Sequence, residues 1–331
     1  MHVGMVGLGR IGSLHAQTLK GSPLVTRLTV VDVDEQRAAS MAQTLDAELA
    51  PSIDALVGEG VDALVIAAAT PVHAELLHIA ADARVPAFCE KPIALDLEST
   101  DAVIEHVQKS GSFVQIGFQR RFDAGYRAAR DAVLTGSLGD VQMVRLASHD
   151  PAPPPEAYVA ASRGIWLDLA IHDFDIAPWV LARPVVEVFA DGVAHADMFE
   201  RHGDVDAACA TLKFEGGILG VLTAMRNDPR GYDVRMELFG MRDSVAVGWD
   251  ERTPLRSLEP GVDAPGQKGY ENFIDRFTPA YRAEIAGFLA AVESGAESPC
   301  GVFDARRALA IALAADRSLR EHRPVRLEEI G

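Results

Sequence analysis

Through Phe118 the chain alternates two hydrophobic rhythms. Val3–Val6, Leu28–Val31, Ala63–Ala69, Ala87–Cys89 and Phe113–Phe118 are short apolar runs without polar alternation, as expected of strands buried on both faces. The segments separating them carry residues at helical spacing: Ile11, Leu14, Thr18 and Leu19, then Ala38, Met41, Ala42 and Leu45, then Leu76, Leu77 and Ala80. Asp34 can cap the second of these helices, and Gly111 can close another over Leu97–Ser110. Such strands joined by helices predict an α/β domain, a doubly wound parallel sheet, over residues 1–119.

From residue 120 onward the rhythm changes. A proline cluster, Asp150-Pro-Ala-Pro-Pro-Pro-Glu156, precedes a helix expected over Leu167–Leu181. Longer runs follow with Gly-containing turns: Val205–Phe214 into Ile218–Met225 through Glu215-Gly216-Gly217, and Asp233–Phe239 into Ser244–Trp249 through Gly240-Met241-Arg242-Asp243. Val234, Met236 and Leu238 alternate with Asp233, Arg235 and Glu237, which marks one buried face. Residues 120–331 therefore read as an α+β domain with an antiparallel meander. Two helices are expected to close it, one starting at Thr278-Pro279 and ending near Gly295, the other over Asp304–Arg320.

Charge narrows the partners. Asp and Glu number 48 against 31 Lys and Arg, a net charge of −17, which disfavours nucleic acid and anionic membrane surfaces. The longest apolar run, Ala308–Ala315, is far short of the ~20 residues of a membrane span. The first residues lack the basic and apolar regions of a secretory leader. Cys89, Cys209 and Cys300 are widely spaced and form no CxxC pair, so a reducing cytoplasm is the expected compartment, with neither disulfides nor a thiolate zinc site.

Gly7-Leu8-Gly9-Arg10-Ile11-Gly12 fits G-x-G-x-x-G between a strand and a helix. The first glycine permits the tight turn, the second lets backbone approach a pyrophosphate, and the third lets helix pack on strand. The helix N-terminus adds free N–H groups and positive dipole. Asp32 follows Gly12 by about 20 residues at the end of the second strand, where a carboxylate accepts from ribose hydroxyls. It would repel a 2′-phosphate, and Val33 and Asp34 rather than Arg follow it, so NAD is expected over NADP.

The fourth strand ends in Glu90-Lys91-Pro92. Together with Gly117-Phe118-Gln119-Arg120-Arg121-Phe122-Asp123, Asp168-Leu-Ala-Ile-His172-Asp-Phe-Asp175, Gly231-Tyr232-Asp233 and Arg276-Phe277-Thr-Pro-Ala-Tyr281, the chain resembles the Gfo/Idh/MocA oxidoreductases, and among them the inositol dehydrogenases. The resemblance runs through nearly the whole chain. It implies a Rossmann domain followed by an α+β domain whose large, mostly antiparallel open sheet makes a homo-oligomer, a tetramer or dimer. It implies NAD-dependent oxidation of a secondary alcohol of a cyclic polyol, myo-inositol to 2-inosose as first choice. Other inositol isomers, anhydrosugars or hexoses are the nearer alternatives, and a non-catalytic NAD-binding regulator is the distant one.

The residues can be read chemically. Lys91 sits at a strand's carboxyl end, where open α/β sheets bind ligands, and its ammonium would stabilise a developing alkoxide. Its bond to Pro92 can be cis, which would aim the lysine inward. Asp168 and His172 are four apart on the expected helix and Asp175 is three beyond His172, so all three would share a stripe. Neutral imidazole can accept an alcohol proton. A solvated helix face or a divalent-ion site would use the same residue types; the resemblance favours a metal-free catalytic set of Lys91, Asp168 and His172. It also implies substrate contacts from Arg120, His149, Asp175 and Tyr232, with the three catalytic residues. Around the nicotinamide it implies Ala69, Thr70, His73, Glu90, Lys91 and Gln119, alongside Gly7, Gly9, Arg10, Ile11, Gly12 and Asp32. Gln119 stands where the inositol dehydrogenases usually have Met. The mixture of carboxylate, imidazole, guanidinium and phenol suits a neutral polyol or sugar.

Overall fold

In the computed structural model, residues 1–263 and 266–331 are described. They form two compact units, Met1–Phe122 with Pro279–Arg306, and Asp123–Thr278 with Arg307–Gly331.

The first unit runs β1 (His2–Val6), α1 (Arg10–Lys20), β2 (Arg27–Val31), α2 (Glu35–Leu45), β3 (Glu48–Leu49), α3 (Ile53–Gly58), β4 (Ala63–Ile66), α4 (His73–Asp82), β5 (Ala87–Glu90), α5 (Leu97–Ser110) and β6 (Val114–Gly117). All strand pairs are parallel, in the order β3-β2-β1-β4-β5-β6. Every residue of β1, β4, β5 and β6 is buried. That explains why these strands read without polar alternation: helices cover both faces. The chain order reverses beside β1, whose neighbours are β2 and β4, so the carboxyl end of β1 opens at the switch point of the sheet. Asp34 caps α2 by accepting from the Arg37 N–H at 3.0 Å, and Gly111 ends α5 at φ 69°. The two-residue β3 and the one-and-a-half-turn α3 are too short to leave a periodic pattern.

The second unit runs α6 (Ala124–Leu134), β7 (Val141–His149), α7 (Glu156–Ser162), α8 (Ile165–Asp168), α9 (Ile171–Leu181), β8 (Val185–Val193), α10 (Asp197–Arg201), β9 (Ala207–Phe214), β10 (Leu219–Met225), β11 (Asp233–Gly240), β12 (Ser244–Val247) and, near the end of the chain, β13 (Val325–Arg326). Its sheet has the order β12-β11-β7-β10-β9-β8-β13. Both expected hairpins are present, β9 with β10 and β11 with β12. They are not consecutive neighbours, however. β7 lies between them, antiparallel to β11 and parallel to β10, so the sheet is mixed.

Two long helices follow, α11 (Phe273–Ser294) and α12 (Val302–Glu321). The first starts before the expected Thr278-Pro279. Asn272 Oδ1 accepts from the N–H groups of Ile274 and Asp275 at 2.9 and 3.1 Å, an N-terminal cap the proline signal masked. Pro279 lies inside the helix, where it removes an i→i−4 bond. The division between the units falls at this proline. Beyond it, Ile285, Phe288 and Leu289 join Met5, Val30, Val65 and Phe88 in the core of the first unit. Phe288 meets Phe88 edge-on at 5.9 Å between ring centroids. Burying such a side chain contributes about 1.5–3 kcal/mol.

Among the described residues no helix is long and apolar enough to cross a membrane.

Candidate active site

In the first unit the glycines after β1 form a cradle. Gly7 has φ 86°, and a Cβ there would lie 2.6 Å from the Ala68 nitrogen. A Cβ on Gly12 would lie 2.1 Å from the Gly7 oxygen, so this position must be bare for α1 to pack. A Cβ on Gly9 would meet nothing within 4 Å. Gly9 is also the N-cap of α1 and supplies no side-chain cap, so the positive end of the α1 dipole faces the cradle. Asp32, at the edge of this cradle, accepts from the Leu8 N–H at 2.5 Å and the Asp34 N–H at 2.8 Å. Gln119 is buried past the end of β6, and its Oε1 has no hydrogen-bond partner. An unpaired buried acceptor costs on the order of 1–3 kcal/mol, and a carboxamide N–H from a cofactor would remove that cost. These features fit a bound dinucleotide.

The structure adds a cation beside Asp32. Arg37 Nη1 lies 3.1 and 3.4 Å from the two Asp32 oxygens, and Nη2 lies 3.0 Å from Asp34. The residues directly after Asp32, Val33 and Asp34, give no sign of it. One turn of α2 brings back an arginine five positions on.

Lys91 follows β5, in a cis peptide bond to Pro92. Its neighbours on both sides are gripped. Glu90 Oε1 is 2.7 Å from Nε2 of His15, a fully buried residue of α1. The Pro92 carbonyl is 2.8 Å from Nδ1 of His73, whose Nε2 is 3.0 Å from the Ala68 carbonyl. His73 thus ties the loop carrying Lys91 to the end of β4, where exposed Ala69 and half-buried Thr70 begin a tight turn. Both ring nitrogens face carbonyls, so only an imidazolium could donate to both. Burial nevertheless pushes the His73 pKa below its ordinary value, and the two carbonyls offset this only partly. Arg120 is buried in the 3-10 turn after β6.

In the second unit the expected helix over Leu167–Leu181 is broken. α8 ends at Asp168, and α9 begins at Ile171. The Ala170 N–H reaches back five residues to Ile165, and the Asp173 N–H reaches only three, to Ala170. Asp168 and His172 therefore lie on either side of a turn, and i,i+4 helix spacing does not describe them. Ile165, Trp166, Leu167, Leu169, Ala170 and Ile171 are all buried, a run that no one-sided helix accommodates. His172 and Asp175 do share α9, with Asp175 buried.

The strand ends then collect the polar side chains. His149 closes β7 and pairs in register with Asp233 at the start of β11. Its Nε2 is 3.0 Å from the Thr223 hydroxyl, and its Nδ1 is 3.5 Å from Asp228 and 3.9 Å from Asp233. Those three acid and imidazole groups are close enough together to hold a metal ion. Both Asp233 oxygens, however, already accept from Arg235 at 2.7 and 3.0 Å, which neutralises the carboxylate. Tyr232, next in the chain, is buried edge-on against Phe277. Arg226, just past β10, donates to Asp150 at 3.1 Å and to Asp168 at 2.8 Å. Burial works against the charge of Arg226, but the two carboxylates more than offset it and raise its pKa. Tyr158 of α7 donates to the other Asp168 oxygen at 2.8 Å. Sequence reading missed Arg226, Tyr158, Asp150 and Asp228. Only the position of Arg226 immediately after a strand run could have hinted at it.

Comparison with known proteins places both units. Residues 1–118 match the oxidoreductase family with an NAD-binding Rossmann fold, and residues 126–246 match the GFO/IDH/MocA C-terminal domain. The chain is 37% identical to a myo-inositol 2-dehydrogenase of Thermotoga maritima, covering 100% of this chain and 99% of that one. It is 39% identical to the myo-inositol dehydrogenase Hyg17 of Streptomyces leeuwenhoekii, covering 96% and 97%. Among solved structures, scyllo-inositol dehydrogenase from Lactobacillus casei with bound NAD(H) and scyllo-inositol superposes with a TM-score of 0.90 at 26% identity, each chain covered to 99%.

Proposed function

We propose that this chain, which belongs to the GFO/IDH/MocA oxidoreductases and binds NAD, oxidises a ring hydroxyl of an unphosphorylated cyclic polyol, with myo-inositol to 2-inosose as first choice. Bound NAD supplies the hydride acceptor. His172 takes the hydroxyl proton as a neutral imidazole. Lys91 stabilises the developing alkoxide with its ammonium. Asp168 orients the reacting hydroxyl as an acceptor. Arg120, His149, Asp175 and Tyr232 bind the remaining hydroxyls, each of which can donate and accept.

The observation that carries this reading is the polar cluster at the strand ends of the second unit, rich in carboxylate and imidazole, in a chain whose full-length relatives are named for inositols. A carboxylate-rich site accepts from neutral hydroxyls and repels a dianionic phosphate, each like-charge contact costing on the order of 1 kcal/mol or more at an effective dielectric near 20. The test is kcat/KM with NAD for myo-inositol, scyllo-inositol and neutral hexoses against their phosphate esters. A neutral inositol should be the best substrate. A clear preference for an ester, or no turnover of any polyol or sugar, overturns the reading.

The same reading includes a homo-oligomer through the second sheet. One face of that sheet is buried along Val188, Leu212, Val144 and Leu238. The other carries exposed Phe189, Leu219, Met143 and Val193 among Thr211 and Lys213. Exposed apolar strand faces of this kind mark association surfaces. Light scattering should give a multiple of the chain mass, and a monomer would count against this face.

A further inference from the structure

We infer that Arg226 is a positioning residue that fixes the Asp168 carboxylate for the reaction, with Tyr158 as its partner on the opposite oxygen. The inference rests on the role given to Asp168 above. It starts from an excess of carboxylate. Arg226 is 3% exposed and touches two aspartates, Asp150 through Nη1 and Asp168 through Nη2. One carboxylate would neutralise a buried guanidinium. The backbone shows which of the two is tied to the strand ends that carry Arg226. The Asp150 N–H donates to the Met225 carbonyl at 2.8 Å, and the Asp150 carbonyl accepts from the Asp228 N–H at 2.7 Å. Asp150 is therefore tied into the same pair of strand ends as Arg226, whose own N–H is bound to the Asp206 carbonyl at 2.8 Å.

Asp168 comes from elsewhere, at the end of a four-residue helix that breaks directly after it. No continuous helix sets its direction. A planar guanidinium locked by Asp150 does so from one side, and the Tyr158 hydroxyl does so at 2.8 Å from the other. Each Asp168 oxygen thus accepts from a fixed donor, Tyr158 on Oδ1 and Arg226 on Oδ2. Two carboxylates on one guanidinium also leave the triad with a net negative charge.

The test is a double-mutant cycle. Arg226→Lys keeps the charge and loses the fork. Tyr158→Phe removes one hydrogen bond from a half-exposed residue and serves if the lysine variant does not fold. Each is made alone and with Asp168→Asn. Measurements are kcat, KM for the polyol, the primary deuterium isotope effect at the oxidised carbon, the NAD dissociation constant and the melting temperature. Arg226→Lys should lower kcat by roughly 10–100-fold, the scale of a small misplacement of a catalytic group. Tyr158→Phe should cost several-fold. NAD affinity should be unchanged, and neither change should slow the Asp168→Asn protein further, because the group they position is gone. If the losses multiply in the Asp168→Asn background, or if both variants turn over within twofold of the parent, the inference fails while the proposed function stands. If the parent oxidises no polyol or sugar, the proposed function fails and takes this inference with it.

Discussion

Gly9 and Gly12 sit in the same hexapeptide, yet alanine should do opposite things at the two positions. At Gly12 the new Cβ would lie 2.1 Å from the Gly7 carbonyl oxygen and 3.2 Å from the Met5 methyl. The oxygen is main chain, so α1 or the turn must move. Overpacking of this kind costs about 1–3 kcal/mol, and a backbone clash belongs at the upper end. Alanine returns about 1 kcal/mol as a better helix former than glycine. The net is a loss of about 2 kcal/mol, which lowers the melting temperature of a domain of ~150–250 residues by roughly 4–8 °C. At Gly9 the Cβ enters open space and φ is −63°, so no strain arises. Stability should stay within about 1 kcal/mol, the ordinary range for an N-cap change. The methyl group does occupy the place where backbone must approach a pyrophosphate, so NAD affinity should fall at least ~10-fold. Calorimetric melting and NAD titration of the two variants decide it. Equal destabilisation of both, or parental NAD affinity in Gly9→Ala, would refute the division of labour.

Asp32→Ala should narrow the preference for NAD over NADP, since it removes the carboxylate and lets Nη1 of Arg37, its 3.1 Å partner, meet a 2′-phosphate while Nη2 stays on Asp34; unchanged KM ratios for the two cofactors would count against it. His172→Ala should lower kcat by ~10²–10⁴-fold while NAD still binds, the usual size of a general-base contribution, and near-normal turnover would reject that role. His73 gives a pH dependence. Its pKa in the folded chain lies below the ordinary 6.5, because burial disfavours the charged ring. Its contribution to stability is complete above 6.5 and is lost as the pH falls below that value, where the unfolded chain takes up the proton first. The parent should therefore lose more melting temperature than His73→Gln between about pH 7.5 and about pH 5.5; parallel curves would show that His73 does not drive the loss.

The nucleotide half of this protein could be read from its sequence because local rules govern it. Buried parallel strands announce themselves as apolar runs. A turn that admits no Cβ at Gly7 or Gly12 must be written in glycine, and Asp32 follows at the spacing of one strand-helix-strand unit. Asp34, Gly111 and Gly295 mark helix ends for equally local reasons. The second unit was legible only as an α+β class with two hairpins. That β7 inserts between them is a pairing of strands far apart in sequence, which no turn between neighbouring segments announces. The break after Asp168 leaves no mark in the pattern, because Ile165–Leu167 and Leu169–Ile171 are buried as an all-round buried helix would be, and the turn follows from packing. Arg226, Tyr158, Asp150 and Asp228 were invisible for the same reason. Each is an ordinary polar residue in its own segment, and acquires a partner only when strand ends and helix ends from distant stretches of chain are brought to hydrogen-bonding distance. Local sequence specifies the conformation a backbone must adopt; which side chains then meet is decided by long-range packing, where no single segment carries the signal.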